Sequence, residues 1–413
     1  MRLLVVSQYF WPEDFRINEL VSELTTRGHA VTVLTGKPNY PGGKVFPDFT
    51  ATPDSYASYH GARVVRAPMI SRGRGRLRLL LNYVTFALGA SIVAAVQLRG
   101  EDFDAIFVFE PSPVTVGLPA VFLRASRGWP IAFWVLDQWP ESLAAVGAVR
   151  SDGILRVVGG FVRFIYSRCD LLLSPSRLLI PRIRTYCRMG QRIEYFPNWV
   201  ESAYAVTRQD SAPEVPDAGG SFTVMFAGNI GEAQDFPAIL AAAERLKARD
   251  DIRWILLGDG RMEPWVKAEI ARRGLDDRVL LLGRFPADRM PSFFRHADAL
   301  LVSLKANPVF AMTAPGKIQS YLAFGRPVLA MLDGEGASVI ADAGAGYSSP
   351  AGNAELLATN VARLVALSQS ERDGMGRNGS DYARREFDRG ALVDNLEVWL
   401  ADIASASRPE AAL

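Results

Sequence analysis

Short apolar runs of strand length alternate with helix-length segments along almost the whole chain, and no other feature restricts its fold as strongly. Leu3–Ser7 and Val31–Thr35 read as buried strands; the helix between them, about Arg16–Arg27, is stopped by Gly28. Runs at Ala62–Arg66, Ala105–Phe109, Ile131–Val135, Leu171–Leu173 and Arg192–Phe196 continue the pattern. Around Ala205–Ser221 the periodicity stops and Ser, Pro, Asp and Gly dominate, as in a loop near a domain boundary. A second series follows, with strands Thr223–Ala227, Arg253–Leu257, Val279–Leu282, Ala299–Leu304 and Pro327–Leu332. Helices are expected between them at Phe236–Arg249, Glu263–Arg273 and Ala287–Arg295, and a last one at Gly390–Ser405. The pattern predicts an α/β chain of two Rossmann-like domains, residues 1–203 and 204–387. Facing each other across a cleft, they would take ligands at the C-terminal ends of their strands.

At 413 residues the chain is too long for one ordinary core and sufficient for two α/β domains. Its net charge of +2 gives no global basic field for nucleic acid, so an anionic partner must be held by local features. Cys169 and Cys187 have no CxxC spacing and no nearby His, which favours packed thiols over a metal site or a disulfide. His29 reads as part of a helix end, and His60 and His296 lack partners at metal-ligand spacing. There is no DxD motif; Asp250-Asp251 and Asp276-Asp277 are adjacent pairs in turns, and no metal is expected. Met1–Val6 runs straight into a strand, so no secretory leader is expected and a cytosolic location is.

Residues 72–99 break the alternation. They read RGRGRLRLLLNYVTFALGASIVAAVQLR, a basic cluster followed by an apolar stretch near the length of a bilayer span. That stretch carries Arg78, Asn82 and Gln97, and spanning would split a domain that otherwise reads as one sheet. Two readings stay open: a buried helix with solvated arginines at its start, or a helix lying on a membrane with its arginines at anionic headgroups. A second basic and apolar stretch, residues 154–166, adds weight to membrane contact.

The densest chemistry lies in Ala314–Ala330. A helix is expected to start just after Pro315, hold Lys317 in its first turn and stop at Gly325, with the Gly-rich turn Asp333–Gly336 beyond the next strand. A cation is poorly placed at a helix N-terminus unless it meets an anion there, so Lys317 reads as a ligand contact. Gln319 and Ser320 are polar within a mostly apolar helix and either bond ligand hydroxyls or face water. Gly228-Asn229-Ile230-Gly231 closes the first strand of the second domain and leads into a helix, which aims backbone amides at a pyrophosphate. Leu257–Gly260 is a second such turn, equally readable as a plain tight turn, and Gly283-Arg284-Phe285 ends a strand where a base could sit.

In the first domain the polar loops follow strand ends. Glu13, Asp14 and Arg16 are placed to bind hydroxyls or phosphate, or Asp14 caps the next helix. Asn39 and Tyr40 belong to a loop rich in turn formers, Pro38–Gly43. Glu110, Asp137 and Glu141 follow strands, so each carboxylate either reaches the expected cleft or serves packing and pairing.

The wording PxKxxxYLAxGxPVLA at 315–330 resembles the donor-sugar site of glycosyltransferase family 4, whose members have the GT-B fold. Six further stretches carry the likeness in order: Ser7–Asn18, Leu34–Gly43, Phe109–Pro113, Trp134–Ser142, Pro197–Glu201 and Gly228–Gly231. They are similar to the WbuB-like branch, which acts in O-antigen and capsule assembly. The resemblance implies a donor nucleotide in the second domain, an acceptor in the first, retention of configuration and no metal or other cofactor. It also implies that a terminal segment, 388–413, crosses back to the first domain. Lys317, Asp137 and Glu13 become the expected catalytic residues. Gly228, Asn229, Ile230, Gly231, Arg284, Phe285, Gln319 and Ser320 join Lys317 at the donor. Asp14, Arg16, Asn39, Tyr40, Glu110 and Glu141 become acceptor contacts.

The implied donor is a UDP-linked N-acetylated or 6-deoxy hexosamine. The implied acceptor is a saccharide on polyprenyl diphosphate, reached from the inner face of the cell membrane. Two departures stand out. The family's E-x7-E glutamates fall at Met312 and Ser320, and its diphosphate-holding Arg and Lys fall near Asn229 and Gln234. A UDP-sugar epimerase, or a catalytically silent membrane-bound scaffold, are the rival expectations.

Overall fold

The computed structural model describes residues 1–73, 75–145, 147, 149–201 and 211–407. The chain forms two compact units, Met1–Pro175 with Leu179–Phe196 and Gly390–Leu413, and Ser176–Leu178 with Pro197–Arg389. The boundary expected between residues 203 and 204, and positions 205–210 of the expected loop, lie outside the described residues.

The first unit is built on eight strands: β1 (Arg2–Ser7), β2 (Ala30–Thr35), β3 (Ser58–Tyr59), β4 (Ala62–Arg66), β5 (Ala105–Glu110), β6 (Ile131–Val135), β7 (Leu171–Ser174) and β8 (Arg192–Tyr195). Their order is β3-β4-β2-β1-β5-β6-β7-β8, parallel throughout except for the β3–β4 hairpin at one edge. Strands β5, β6 and β7 are buried at every residue, which demands cover on both faces. Helix Arg16–Thr26 provides it on one side with Ile17, Leu20, Val21 and Leu24, a stripe of helical period. Strand order reverses at β1/β5, so right-handed crossovers place helices Arg76–Gln97, Leu118–Arg127 and Asp152–Tyr166 together on the opposite face.

Helix Arg76–Gln97 answers the question left open for residues 72–99 in two halves. Phe86, Ala87, Ala90, Val93 and Ala94 are buried, so one face belongs to the core. Asn82 is buried with its needs met: Oδ1 accepts from Gln8 Nε2 at 2.7 Å and Nδ2 donates to the Ile70 carbonyl at 2.7 Å. The other face exposes Leu77, Leu80, Val84, Leu88, Ile92 and Val96, again at helical spacing. By length and composition the helix could cross a membrane, but its inner face is packed into this unit.

The C-terminal helix Arg389–Ser407 packs on the first unit through Leu392, Val393, Leu396 and Leu400. Arg27 reaches Asp394 and Glu397, and the His29 ring sits between Glu397 and the chain's own N-terminus. The His29 N–H donates to the Leu24 carbonyl at 3.1 Å and so closes the helix end as expected, while its ring ties two distant segments together.

The second unit is a six-stranded parallel sheet of β9 (Phe222–Ala227), β10 (Ile252–Leu257), β11 (Val279–Gly283), β12 (Ala299–Ser303), β13 (Val328–Met331) and β14 (Gly346–Ser349). The order β11-β10-β9-β12-β13-β14 is that of a dinucleotide-binding sheet, with its switch point at β9/β12. Three expectations shift here. Helix Phe236–Arg245 ends four residues early, and Ala287–Arg295 divides into a 3-10 turn, Ala287–Arg289, and helix Met290–Phe294 around Pro291. The expected turn Asp333–Gly336 is the start of helix Glu335–Ala343. Gly336 is inside that helix because a Cβ there would lie 2.8 Å from Leu332 and 3.0 Å from Ile318.

The two-faced helix gives a direct check. Phe86→Ala should cost about 3–5 kcal/mol in urea unfolding, while Leu88→Ala two residues on should stay within about 0.5 kcal/mol.

Candidate functional site

Three strand ends of the second unit, at Ala227, Leu257 and Gly283, converge on two stacked glycine turns. The Gly228 N–H donates to the Leu257 carbonyl at 2.9 Å, and the Ile230 N–H to the Asp259 carbonyl at 2.7 Å. Their fit forbids side chains. A Cβ on Gly258, whose φ is +134°, would lie 1.9 Å from the Gly228 oxygen. Beside these turns is a cavity of about 460 Å³ whose lining includes Gly228, Asn229, Asp259, Arg284, Lys317 and Ser320, with Phe285 at its wall. That volume suits a nucleotide-sized ligand.

Lys317 lies in the first turn of helix Gly316–Phe324, whose Tyr321 hydroxyl bonds the Ala227 backbone at the end of β9. Its Nζ is buried 3.7 Å from the centre of the Phe226 ring and has no hydrogen-bond partner. A Cβ on Gly228 would come within 2.7 Å of that amine, so the glycine is what leaves room for it. Burial pushes the Lys317 pKa down to about 7. A buried ammonium with one aromatic face for company is costly on its own, and a diphosphate would supply the missing anion.

In the first unit the strand-end carboxylates have been put to different uses. Glu13 is buried and accepts the N–H groups of Phe10 at 3.2 Å, Asn39 at 2.6 Å and Tyr40 at 2.6 Å, so it holds the Pro38–Gly43 loop. Asn39 completes that loop, donating to the Lys37 carbonyl and accepting the Arg72 N–H, each at 2.7 Å. Glu141 is engaged by Arg182 and by the Tyr186 hydroxyl. Glu110 is fully buried at the end of β5; one oxygen accepts the Asp137 N–H at 3.1 Å and the other has no partner. Burial, and then the nearby Asp137 charge, raise the Glu110 carboxyl well above its ordinary range. Asp137 is half-buried, with Oδ2 accepting from the Trp139 indole at 2.9 Å.

Comparison with known proteins decides what this pair of sheets is. A "Glycosyl transferase 4-like domain" model matches residues 15–199 and a "Glycosyl transferases group 1" model matches 221–366. The chain belongs to glycosyltransferase family 4. WcaI of Escherichia coli K12, described as a glycosyl transferase of colanic acid biosynthesis, is 24% identical over 79% of this chain and 82% of its own. Sucrose-phosphate synthase from Thermosynechococcus elongatus shares the fold with a TM-score of 0.71 at 15% identity, covering 98% of this chain and 99% of its own. HepE of Anabaena, solved with UDP, aligns with a TM-score of 0.69 at 15% identity, over 97% of this chain and all of its own. Both structures show the GT-B architecture of two Rossmann-like domains.

For this glycosyltransferase the donor-side expectations divide cleanly. Gly228, Asn229, Arg284, Phe285, Lys317 and Ser320 line the cavity. Ile230 is buried in the apolar core, and the Gly231 N–H bonds the Gln234 side chain at 3.2 Å. The Gln319 amide turns back to the Pro315 and Gly316 carbonyls at 3.1 and 3.0 Å, so it secures the helix start. Of the two positions where the family glutamates fall, Ser320 lines the cavity. Glu201 and Asp259 also line it and were not picked out as site residues; the only sequence signals were the Pro197–Glu201 match and the Gly-Asp-Gly turn. On the first unit, Tyr40 is partly exposed, its ring 5.3 Å from Tyr9 and 5.2 Å from the Arg72 guanidinium. Asp14 is exposed and makes no cap, since helix Arg16–Thr26 starts from Phe15 without a side-chain bond, and Arg16 is half-buried.

Glu13, expected among the catalytic residues, and Glu141, expected at the acceptor, both make structural hydrogen bonds in this unit. Glu110 carries a pH signature. Its folded pKa lies above the unfolded one, so wild-type stability falls as pH rises from about 4.5, where the unfolded carboxyl starts to ionise and the buried one does not. Glu110→Gln cannot lose that proton. Its stability relative to wild type should therefore grow as pH rises above about 5, at up to about 1.4 kcal/mol per unit, as read by urea unfolding at each pH.

Proposed function

We propose that the chain is a retaining, metal-independent transferase that moves a sugar from a UDP-sugar to a lipid-linked saccharide in cell-surface polysaccharide assembly. The buried, unpartnered Lys317 amine on the nucleotide-sized cavity carries this reading. The Gly228 and Gly258 turns let a diphosphate approach the backbone, and Lys317 offsets the charge that builds on the leaving phosphate. With the acceptor hydroxyl attacking on the face that the diphosphate leaves, a phosphate oxygen takes the proton. Asp137 orients the hydroxyl, at the end of a strand and beside Glu110, which holds its backbone N–H. The choice of UDP is supported by HepE, solved with UDP, and the pathway by WcaI, named for colanic acid biosynthesis. The donor sugar is expected to be an N-acetylated or 6-deoxy hexosamine, from the resemblance to the WbuB-like branch. The nucleotide sugar is a co-substrate and no cofactor is invoked. The proposed location is cytoplasmic, peripheral on the inner membrane face.

Calorimetry against UDP, GDP and TDP with EDTA present tests the donor half. One nucleotide should bind selectively; failure of all of them would favour a silent scaffold, and turnover of a UDP-sugar without acceptor would favour an epimerase.

Lys317 makes a sharper prediction. Its neutral form gives up the ion pair, so wild-type affinity for UDP should fall as pH rises from 7.5 to 9, approaching about tenfold per unit. Lys317→Met should bind UDP at least about tenfold more weakly at pH 7 and show no such slope, because the titrating amine is gone. Asp137→Asn should lower kcat by about 100-fold or more while leaving UDP affinity within about twofold, as read by radiolabelled sugar transfer.

A further inference from the structure

Helices Arg76–Gln97, Leu118–Arg127 and Asp152–Tyr166 form one layer over the first sheet, with Ile165 of the third packed where a Gly117 side chain would be. The outer side of this layer is apolar on all three members. The Leu77–Val96 stripe on the first helix is joined by Phe122 on the second and by Ile154, Val157 and Phe164 on the third. Exposure reaches 72% at Leu77 and 74% at Val157, so these are not half-covered core residues. Scattered exposed aliphatics need no explanation; a repeat at helical spacing along 20 residues does.

Charge on the layer is one-sided. Helices Arg76–Gln97 and Leu118–Arg127 contain no Asp or Glu, and Asp152–Tyr166 has only Asp152, against six arginines across the three. Arg78, Arg127, Arg156 and Arg163 are exposed, with Arg78 next to Leu77, Arg156 next to Val157 and Arg163 next to Phe164. A second copy of this face would set arginine against arginine, so self-pairing is disfavoured. An anionic surface with an apolar interior meets both demands.

We propose that this three-helix layer docks on a bilayer containing anionic phospholipid, with its aliphatic side chains below the headgroups and its arginines among the phosphates. The helices run against the parallel strands, so their N-terminal ends lie at the strand C-terminal edge. Docking would hold the Arg72–Asn39 junction and the Asp137 loop of the same unit near headgroup depth. What that position is for rests on the lipid-linked acceptor proposed above; the docking itself does not.

The test uses the full chain and sedimentation with vesicles of phosphatidylcholine, with and without phosphatidylglycerol. Binding should be at least about tenfold tighter with phosphatidylglycerol and should weaken as salt is raised. Leu80→Glu/Ile92→Glu should abolish it, and Arg156→Gln/Arg163→Gln should remove most of the preference for the anionic lipid, both with the melting midpoint of wild type. Leu80→Ser/Ile92→Ser serves if the glutamates lower that midpoint. Equal binding to both vesicles, no binding, or variants that bind like wild type would overturn the proposal. So would a wild-type dimer that the Leu80 and Ile92 changes dissociate. Vesicle binding without sugar transfer would sink the proposed function and leave this face standing; transfer to a lipid-linked acceptor without vesicle binding would do the reverse.

Discussion

The strands at the centre of both sheets are parallel and buried on both faces, and most of the rest of the molecule answers to that. A parallel strand pair needs a crossover, the crossover is a helix, and its handedness decides which face it covers. In the second unit this gives the order β11-β10-β9-β12-β13-β14, with the two halves diverging at β9/β12. Where neighbouring crossovers leave on opposite faces, the strand ends stay open, and polar chemistry can be placed there without breaking the core. The glycine turns, the cavity and Lys317 are all found at that edge. The two clusters that pack against this sheet are built of aliphatic and aromatic side chains.

The two units use their strand ends in electrostatically opposite ways. In the second, backbone carbonyls and amides of the glycine turns bond one another so closely that no side chain fits, and the buried Lys317 amine is left without a hydrogen-bond partner. In the first, buried carboxylates find backbone donors: Glu13 takes three N–H groups and shapes a loop, and Glu110 takes one and is held towards its neutral form. A carboxylate whose lone pairs are filled by amides is an organiser of other groups. Asp137 is half-buried, with one oxygen accepting from the Trp139 indole.

Much of this was legible before any coordinates. The strand at Leu3–Ser7, the helix after it, the second alternating series from Phe222 and the lysine helix from Gly316 are local patterns of period two or 3.6, and each is found within a few residues of its expected place. The Gly228 turn was readable as a pyrophosphate cradle from its place after the first strand, while the Gly258 turn read equally as a plain tight turn. The Asp333–Gly336 segment misled because glycine favours turns locally, while here Gly336 is in a helix to make room for Leu332 and Ile318. Residues 72–99 resisted a single reading because composition does not say which side of a helix is covered.

The class of fold, the family and the short stretches in which polar side chains meet strand ends can be read from the chain alone, since all of these depend on neighbours close along it. Tertiary structure decided which of those side chains remain available. Glu13 is committed by Asn39 and Tyr40, Glu141 by Arg182 and Tyr186, and the Lys317 amine is isolated by Phe226 and Gly228. Each of those partners lies between 26 and 91 residues away in the sequence. No local pattern records such a distance, because partnership is set by the crossovers that bring strand ends together.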